Sequence, residues 1–188
     1  MRSTPARPAR QRLFLIGLPG AGKTTLGRAI ARTTGGPFVD LDEEIERETG
    51  QSIATLFQQH GEASFRALEA AVLRRAGQAT PLVMATGGGT PCFHESIDWL
   101  LNQGHVIWLD IAPSVIAARL LTSAADGLAA RPLLFAAASQ GHAAGSQLAL
   151  INFLDQTLAA RLPFYSRAPY RLTATTDVAV AQLLYALR

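Results

Sequence analysis

The sequence predicts an α/β domain in three layers, a central five-stranded parallel sheet flanked by helices on both faces. Three observations predict it. Short apolar runs alternate with helix-length stretches from residue 13 onward, the pattern of a parallel sheet whose crossovers cover both faces. A glycine-rich segment separates the first apolar run from the first helical pattern. The 188 residues, 48% hydrophobic and 16% charged, suffice for one packed core and carry too little charge for a disordered chain.

Taken in order, residues 1–12 hold Arg2, Arg7, Arg10 and Arg12 with Pro5 and Pro8 and no acid, and read as a disordered basic leader. They lack the apolar stretch of a secretion signal. A single domain is expected over 13–188, with strands at 13–17, 37–41, 82–86, 105–110 and 170–173. Helices are expected near 22–34, 53–60, 62–77, 94–103, 113–122, 147–162 and 177–187. Residues 121–146 stand apart, rich in Ala, Ser and Gly, and read as a mobile lid or as a plain surface insertion. No run of eighteen apolar residues occurs, so no membrane span is expected. The one cysteine, Cys92, cannot form an internal disulfide, which fits a reducing cytoplasm, and it reads as an ordinary small residue. The net charge of +3 owes much to the leader and gives no reason to expect a nucleic-acid partner.

The chemistry begins at residues 17–24, Gly-Leu-Pro-Gly-Ala-Gly-Lys-Thr, a complete G-x-x-x-x-G-K-[ST] phosphate-binding loop between a strand and a helix. Gly17, Gly20, Ala21 and Gly22 present backbone N–H groups to an anion, and the helix that follows adds its positive end. Lys23 reaches the outer phosphates and the Thr24 hydroxyl suits a magnesium ion. A nucleoside triphosphate is the expected ligand, and the absence of an N-K-x-D motif disfavours a GTPase switch.

Four further constellations narrow the reaction. Asp40 and Asp42 bracket Leu41 at the end of the second strand, where alternation would aim both carboxylates at the catalytic edge; Asp42 also reads as the cap of a helix beginning at Glu43. Arg66 and Glu69 are neighbours on one helical face, suited either to hold a guanidinium for a substrate carboxylate or to form a surface ion pair worth under about 1 kcal/mol. Gly87, Gly88 and Gly89 follow the third strand, and three glycines in a row open the backbone to a ligand. Arg131 falls within the lid-like segment and Arg161 closes the next helix; a lid arginine suits the charge on a migrating phosphoryl group.

In this order the motifs resemble the shikimate kinase family: F-V-D-L-D at 38–42, T-G-Q-S-I at 49–53, G-E-A-S-F-R-A-L-E at 61–69, T-G-G-G at 86–89, R-P-L-L at 131–134 and R-L-P-F-Y at 161–165. The phosphate loop alone is common to many unrelated proteins; the series is far more specific. The resemblance implies a P-loop kinase fold and transfer of the γ-phosphoryl group of ATP to the 3-hydroxyl of shikimate, a step toward chorismate and the aromatic amino acids. It implies that residues 17–25, including Thr25, cradle ATP, that Arg119 stacks on adenine, and that Thr24 and Asp40 organise Mg²⁺, Asp40 through water. It implies that Asp42 binds the shikimate hydroxyls and takes the proton. Arg66 and Arg161, with Gly87, Gly88 and Gly89, would grip the carboxylate, and Arg131 would close over the phosphates. A cytoplasmic monomer is expected. Between Arg131 and Arg161 the chain is longer than the family's usual spacing, and 173–177 lacks the basic or amide residue that often holds adenine.

Two other readings compete. One is another small-molecule kinase, such as a gluconate kinase-like enzyme; a neutral polyol would leave the paired arginines without a carboxylate unless the acid end is retained. A sensor that binds without turnover would be expected to have lost Lys23, Asp42 or Arg131, and all three are present.

Overall fold

The structure is a computed structural model describing residues 12–122 and 143–175, together with Ala181, Leu183 and Tyr185. Five parallel strands form one sheet in the order β2-β3-β1-β4-β5: β1 (Arg12–Gly17), β2 (Phe38–Asp40), β3 (Leu82–Ala85), β4 (His105–Leu109) and β5 (Tyr170–Leu172). β1 is central, with Leu13 paired to Val83 on one side and to His105 on the other. Phe14, Leu15 and Ile16 in β1, and Val106, Ile107 and Leu109 in β4, are buried as continuous runs, because helices cover both faces of the sheet.

Six α-helices and a 3₁₀ turn (Thr90–Cys92) accompany the sheet: α1 (Lys23–Thr34), α2 (Leu41–Thr49), α3 (Ile53–Ala76), α4 (Ser96–Gln103), α5 (Pro113–Thr122) and α6 (Ala143–Tyr165). The two helical stretches expected at 53–60 and 62–77 are one element broken at Gly61, whose φ of 73° and ψ of 171° interrupt the helix. Ser52 caps α3 through the Thr55 N–H, a contact worth about 1 kcal/mol. α6 runs beyond the expected 162 because Pro163 sits in its last turn, where the missing N–H removes a single bond. Of the expected helix at 177–187, Ala181, Leu183 and Tyr185 are helical, and Leu183 is buried.

Three sequence expectations change. The second strand ends at Asp40 rather than at 41, because the Asp40 carboxylate caps α2 by accepting the Asp42 N–H at 3.1 Å. Asp42 therefore lies in the first turn of α2, one step inside the helix rather than at the cap of one beginning at Glu43, with Glu43 and Glu44 beside it at the positive helix end. Arg12, assigned to the leader, is the first residue of β1, and its guanidinium bonds Gln78 O, Ala79 O and Gln103 Oε1. Of the lid expected at 121–146, residues 121–122 end α5 and 143–146 begin α6; the remainder, with Arg131, and the leader before Arg12 lie outside the described residues. No helix among the described residues is long and apolar enough to cross a membrane.

Candidate active site

The loops after β1, β2 and β3 leave the sheet at one edge, the carboxyl ends of parallel strands, where open α/β sheets bind ligands. The phosphate loop leaves β1 there. Gly22, at φ 95°, is the N-cap of α1 and offers no side chain, so the first N–H groups of the helix carry no side-chain cap. Such an end is an anion site. Gly20, at φ 81°, packs so closely under Ile116 and Leu120 of α5 that a Cβ there would lie 2.9 Å from Ile116 Cγ2. Arg119 is exposed on the same helix, next to Leu120. Lys23 is buried, and its Nζ donates to Gly17 O and Leu18 O, both at 2.9 Å, so the ammonium is held across the loop.

The capping geometry that corrected Asp42 also builds the second part of the site. The Thr24 hydroxyl donates to Asp40 Oδ2 at 2.6 Å, while Asp40 Oδ1 accepts from Asp42 N. One carboxylate thus ties the phosphate loop to α2. Asp42 is open to solvent yet lies in a cleft crowded with protein atoms and acids. Loss of hydration, then repulsion from Asp40 and Glu69, pushes its pKa up to about 6, against the pull of Lys23.

The three glycines bring the remaining residues together. A Cβ on Gly87 would lie 2.8 Å from Glu69 Oε1, 2.9 Å from Thr90 Oγ1 and 3.0 Å from Asp42 Oδ1. One on Gly88 would meet Arg161 Nη1 at 2.9 Å and Pro19 Cδ at 2.9 Å, and one on Gly89 would meet Arg66 Nη2 at 2.5 Å. The run is therefore a contact surface for side chains from α2, α3, α6 and the phosphate loop, which is why any side chain there would collide. Pro19, a variable position of the loop motif, rests directly against Gly88.

Arg66 is buried and strongly directed. Its Nη1 donates to Glu69 Oε2 at 2.9 Å, and its Nε and Nη2 both donate to Glu62 Oε1, at 3.2 and 3.1 Å. Three rings surround the guanidinium: Phe57 at 5.6 Å, Phe65 at 5.2 Å and Phe93 at 4.6 Å from ring centre to Cζ. Rings that displace water from a guanidinium strengthen its attraction for an anion. Against the neighbouring Gly88, Arg161 Nη1 is buried without a hydrogen-bond partner among the described residues, a donor matched to an oxyanion. Tyr165, four residues on, donates its hydroxyl to Gly88 O at 2.5 Å, and burial pushes its pKa up to about 12, so it stays a donor.

The structure thus brings together Lys23, Thr24, Asp40, Asp42, Arg66, Arg161 and the three glycines. It adds Glu62, Phe57, Phe93, Thr90 and Tyr165, for which only faint signals stand in the sequence. Glu62 and Tyr165 lie inside quoted motifs, but the aromatic rings are scattered over 57, 65 and 93 with no shared period.

Gly89 offers a clean test, since its φ of −87° and ψ of −19° are open to alanine. Gly89→Ala places a methyl group against Arg66 and should weaken acceptor binding by about tenfold or more without changing the affinity for ATP, as read from the two KM values.

The family model "Shikimate kinase" matches residues 19–186. The chain is 40% identical to the shikimate kinase of Bacteroides fragilis over 159 residues, 85% of this chain and 82% of that one. It is 38% identical to the shikimate kinase of Bacteroides thetaiotaomicron over 163 residues, 87% and 86% of the two chains. Among solved structures, the crystal structure of a Bacteroides thetaiotaomicron shikimate kinase superposes with a TM-score of 0.84 at 35% identity, covering 95% of this chain and 99% of that one. The shikimate kinase of Acinetobacter baumannii, solved in complex with shikimate, gives 0.76 at 32% identity, covering 97% and 93%. The likeness extends over nearly the whole chain in both sequence and fold, and the chain belongs to the shikimate kinase family.

Proposed function

We propose that this shikimate kinase transfers the γ-phosphoryl group of ATP to the 3-hydroxyl of shikimate with the following division of labour. The phosphate loop, 17–25, binds the ATP phosphates through its N–H groups and Lys23, which exchanges the Gly17 and Leu18 carbonyls for phosphate oxygen. Thr24 and Asp40 present two oxygens of the hard type that magnesium prefers. Magnesium bound here would keep several ligands from phosphate and water. When bound, that ion neutralises the phosphate charge.

Arg66 and Arg161 hold the shikimate carboxylate from two sides against the Gly87–Gly89 backbone. This fixes the ring so that its hydroxyl faces Asp42, which accepts the proton as the oxygen attacks phosphorus. With a pKa near 6, Asp42 is largely ionised at neutral pH yet basic enough to help. Arg119 contacts adenine and Arg131 closes over the phosphates; both assignments rest on the motif resemblance. The carrying observation is the glycine turn, against which Asp42, Arg66 and Arg161 converge while Pro19 brings the phosphate loop alongside.

Coupled ADP release with Mg-ATP tests the reading: rapid release with shikimate, and background release with gluconate or no acceptor, is expected. Release with gluconate alone would reassign the acceptor. Arg66→Lys should raise the shikimate KM by about tenfold or more, because a point charge cannot replace a planar fork held by two glutamates. An unchanged KM would remove Arg66 from the clamp.

A further inference from the structure

Thr90, the residue directly after the three glycines, has no part in the division of labour above. Its side chain is nonetheless tightly engaged. Thr90 is 1% exposed and Glu69 2% exposed, and the Thr90 hydroxyl donates to Glu69 Oε1 at 2.6 Å. The other oxygen of Glu69 accepts from Arg66 Nη1 at 2.9 Å. The Thr90 amide in turn donates to Gly87 O at 3.2 Å, closing the 3₁₀ turn Thr90–Cys92 onto the glycine run. A chain of hydrogen bonds therefore leads from the Gly87 carbonyl through Thr90 and Glu69 to the guanidinium.

Each link limits the next. A carboxylate held at one oxygen by a salt bridge can still rotate about that contact. A second short bond at the other oxygen fixes its plane, and with it the position of Nη1. Arg66 stands on α3 and the glycines on the loop after β3, so no covalent continuity sets their spacing. The Thr90 hydroxyl links the two through Glu69. Arg74, one turn beyond Ala70 on α3, reaches the same loop only at His94 O, too far along the chain to set the guanidinium.

We propose that Thr90 is a positioning residue for the acceptor carboxylate: its hydroxyl locks Glu69, Glu69 locks Arg66, and its amide ties both to the glycine turn. The inference rests on the Arg66 clamp proposed above, and its test separates the two.

Steady-state kinetics of the full chain would compare Thr90→Val, Thr90→Ser and Arg66→Ala. The acceptors are shikimate and an analogue carrying a hydroxymethyl group in place of the carboxylate. Thr90→Val keeps the side-chain volume and removes the donor. It should raise the shikimate KM by about tenfold, the scale of a lost hydrogen bond to a charged group. Its kcat and ATP KM should stay within about twofold, the signature of lost uniform binding. Thr90→Ser should restore the shikimate KM to within about twofold, and the analogue should not distinguish Thr90→Val from the parent. If Thr90→Val does not fold, Thr90→Ala read against Thr90→Ser isolates the hydroxyl in the same way. An unchanged shikimate KM in Thr90→Val beside a raised one in Arg66→Ala overturns the role of Thr90 alone. Equal losses with both acceptors, or a parallel fall in kcat, make Thr90 a structural residue and overturn it too. An Arg66→Ala enzyme with unchanged shikimate KM overturns the clamp itself and the inference with it.

Discussion

Asp42→Asn should lower kcat by a factor of about 10² to 10⁴, the span of a general base. Asparagine keeps the shape and the hydrogen-bonding reach of the aspartate but cannot take a proton. The parent enzyme should lose activity as the pH falls through about 6, where Asp42 takes up a proton, and the variant's residual rate should lack that limb. A pH series of ADP release from 5 to 8 reads both effects. ATP affinity by calorimetry should hardly change, since Asp40 rather than Asp42 bonds Thr24. A fall in ATP affinity with kcat preserved would move Asp42 to the metal site.

The same substitution has a stability consequence of definite sign. A carboxyl with its pKa raised in the folded state favours the protonated form there, so ionising it costs stability as the pH rises from about 4 to about 6. Asp42→Asn should therefore melt above the parent at pH 7, with the difference closing near pH 4. Water at the mouth of the cleft screens part of the repulsion, so the gain is smaller than the shift alone implies.

Lys23→Ala is the second large effect expected, a loss of about 10² to 10³ in kcat or more. Lys23 is buried where the loop leaves the sheet, with its ammonium centred between two carbonyls of that loop. Lys23→Arg should not rescue, because the bulky planar guanidinium does not fit a space sized for a compact ammonium. Single-turnover phosphoryl transfer measures the effect without the complication of product release. A variant that keeps more than about a tenth of the parent rate would remove Lys23 from the phosphates.

What the sequence made legible and what it did not divide along physical lines. The phosphate loop is contiguous and its work is done by backbone, so eight residues in a row specify it. The alternation of strands and helices was readable from apolar runs, and the break at Gly61 separated two helical stretches as it separates the halves of α3. The placement of Asp42 failed because strand alternation holds only while the strand lasts. Asp40 outcompetes its neighbour as helix cap, and three acids at 42–44 already mark a helix start. The surroundings of Arg66 were hidden for another reason. Phe57, Phe65, Phe93, Glu62 and Thr90 meet only when α3 folds back over the loop after β3, and no local period records that meeting.

The pairing of Arg66 with Glu62 carries a consequence for how the acceptor enters. Glu62 is 58% exposed and uses a single oxygen to occupy the Nε and Nη2 edge of the guanidinium, the edge a planar carboxylate would engage with two. An arriving acid therefore trades places with a glutamate instead of neutralising a bare cation. Such an exchange moves little net charge into the cleft, so its equilibrium should respond weakly to salt. A neutral polyol, with no anion to trade, meets a guanidinium that is already satisfied.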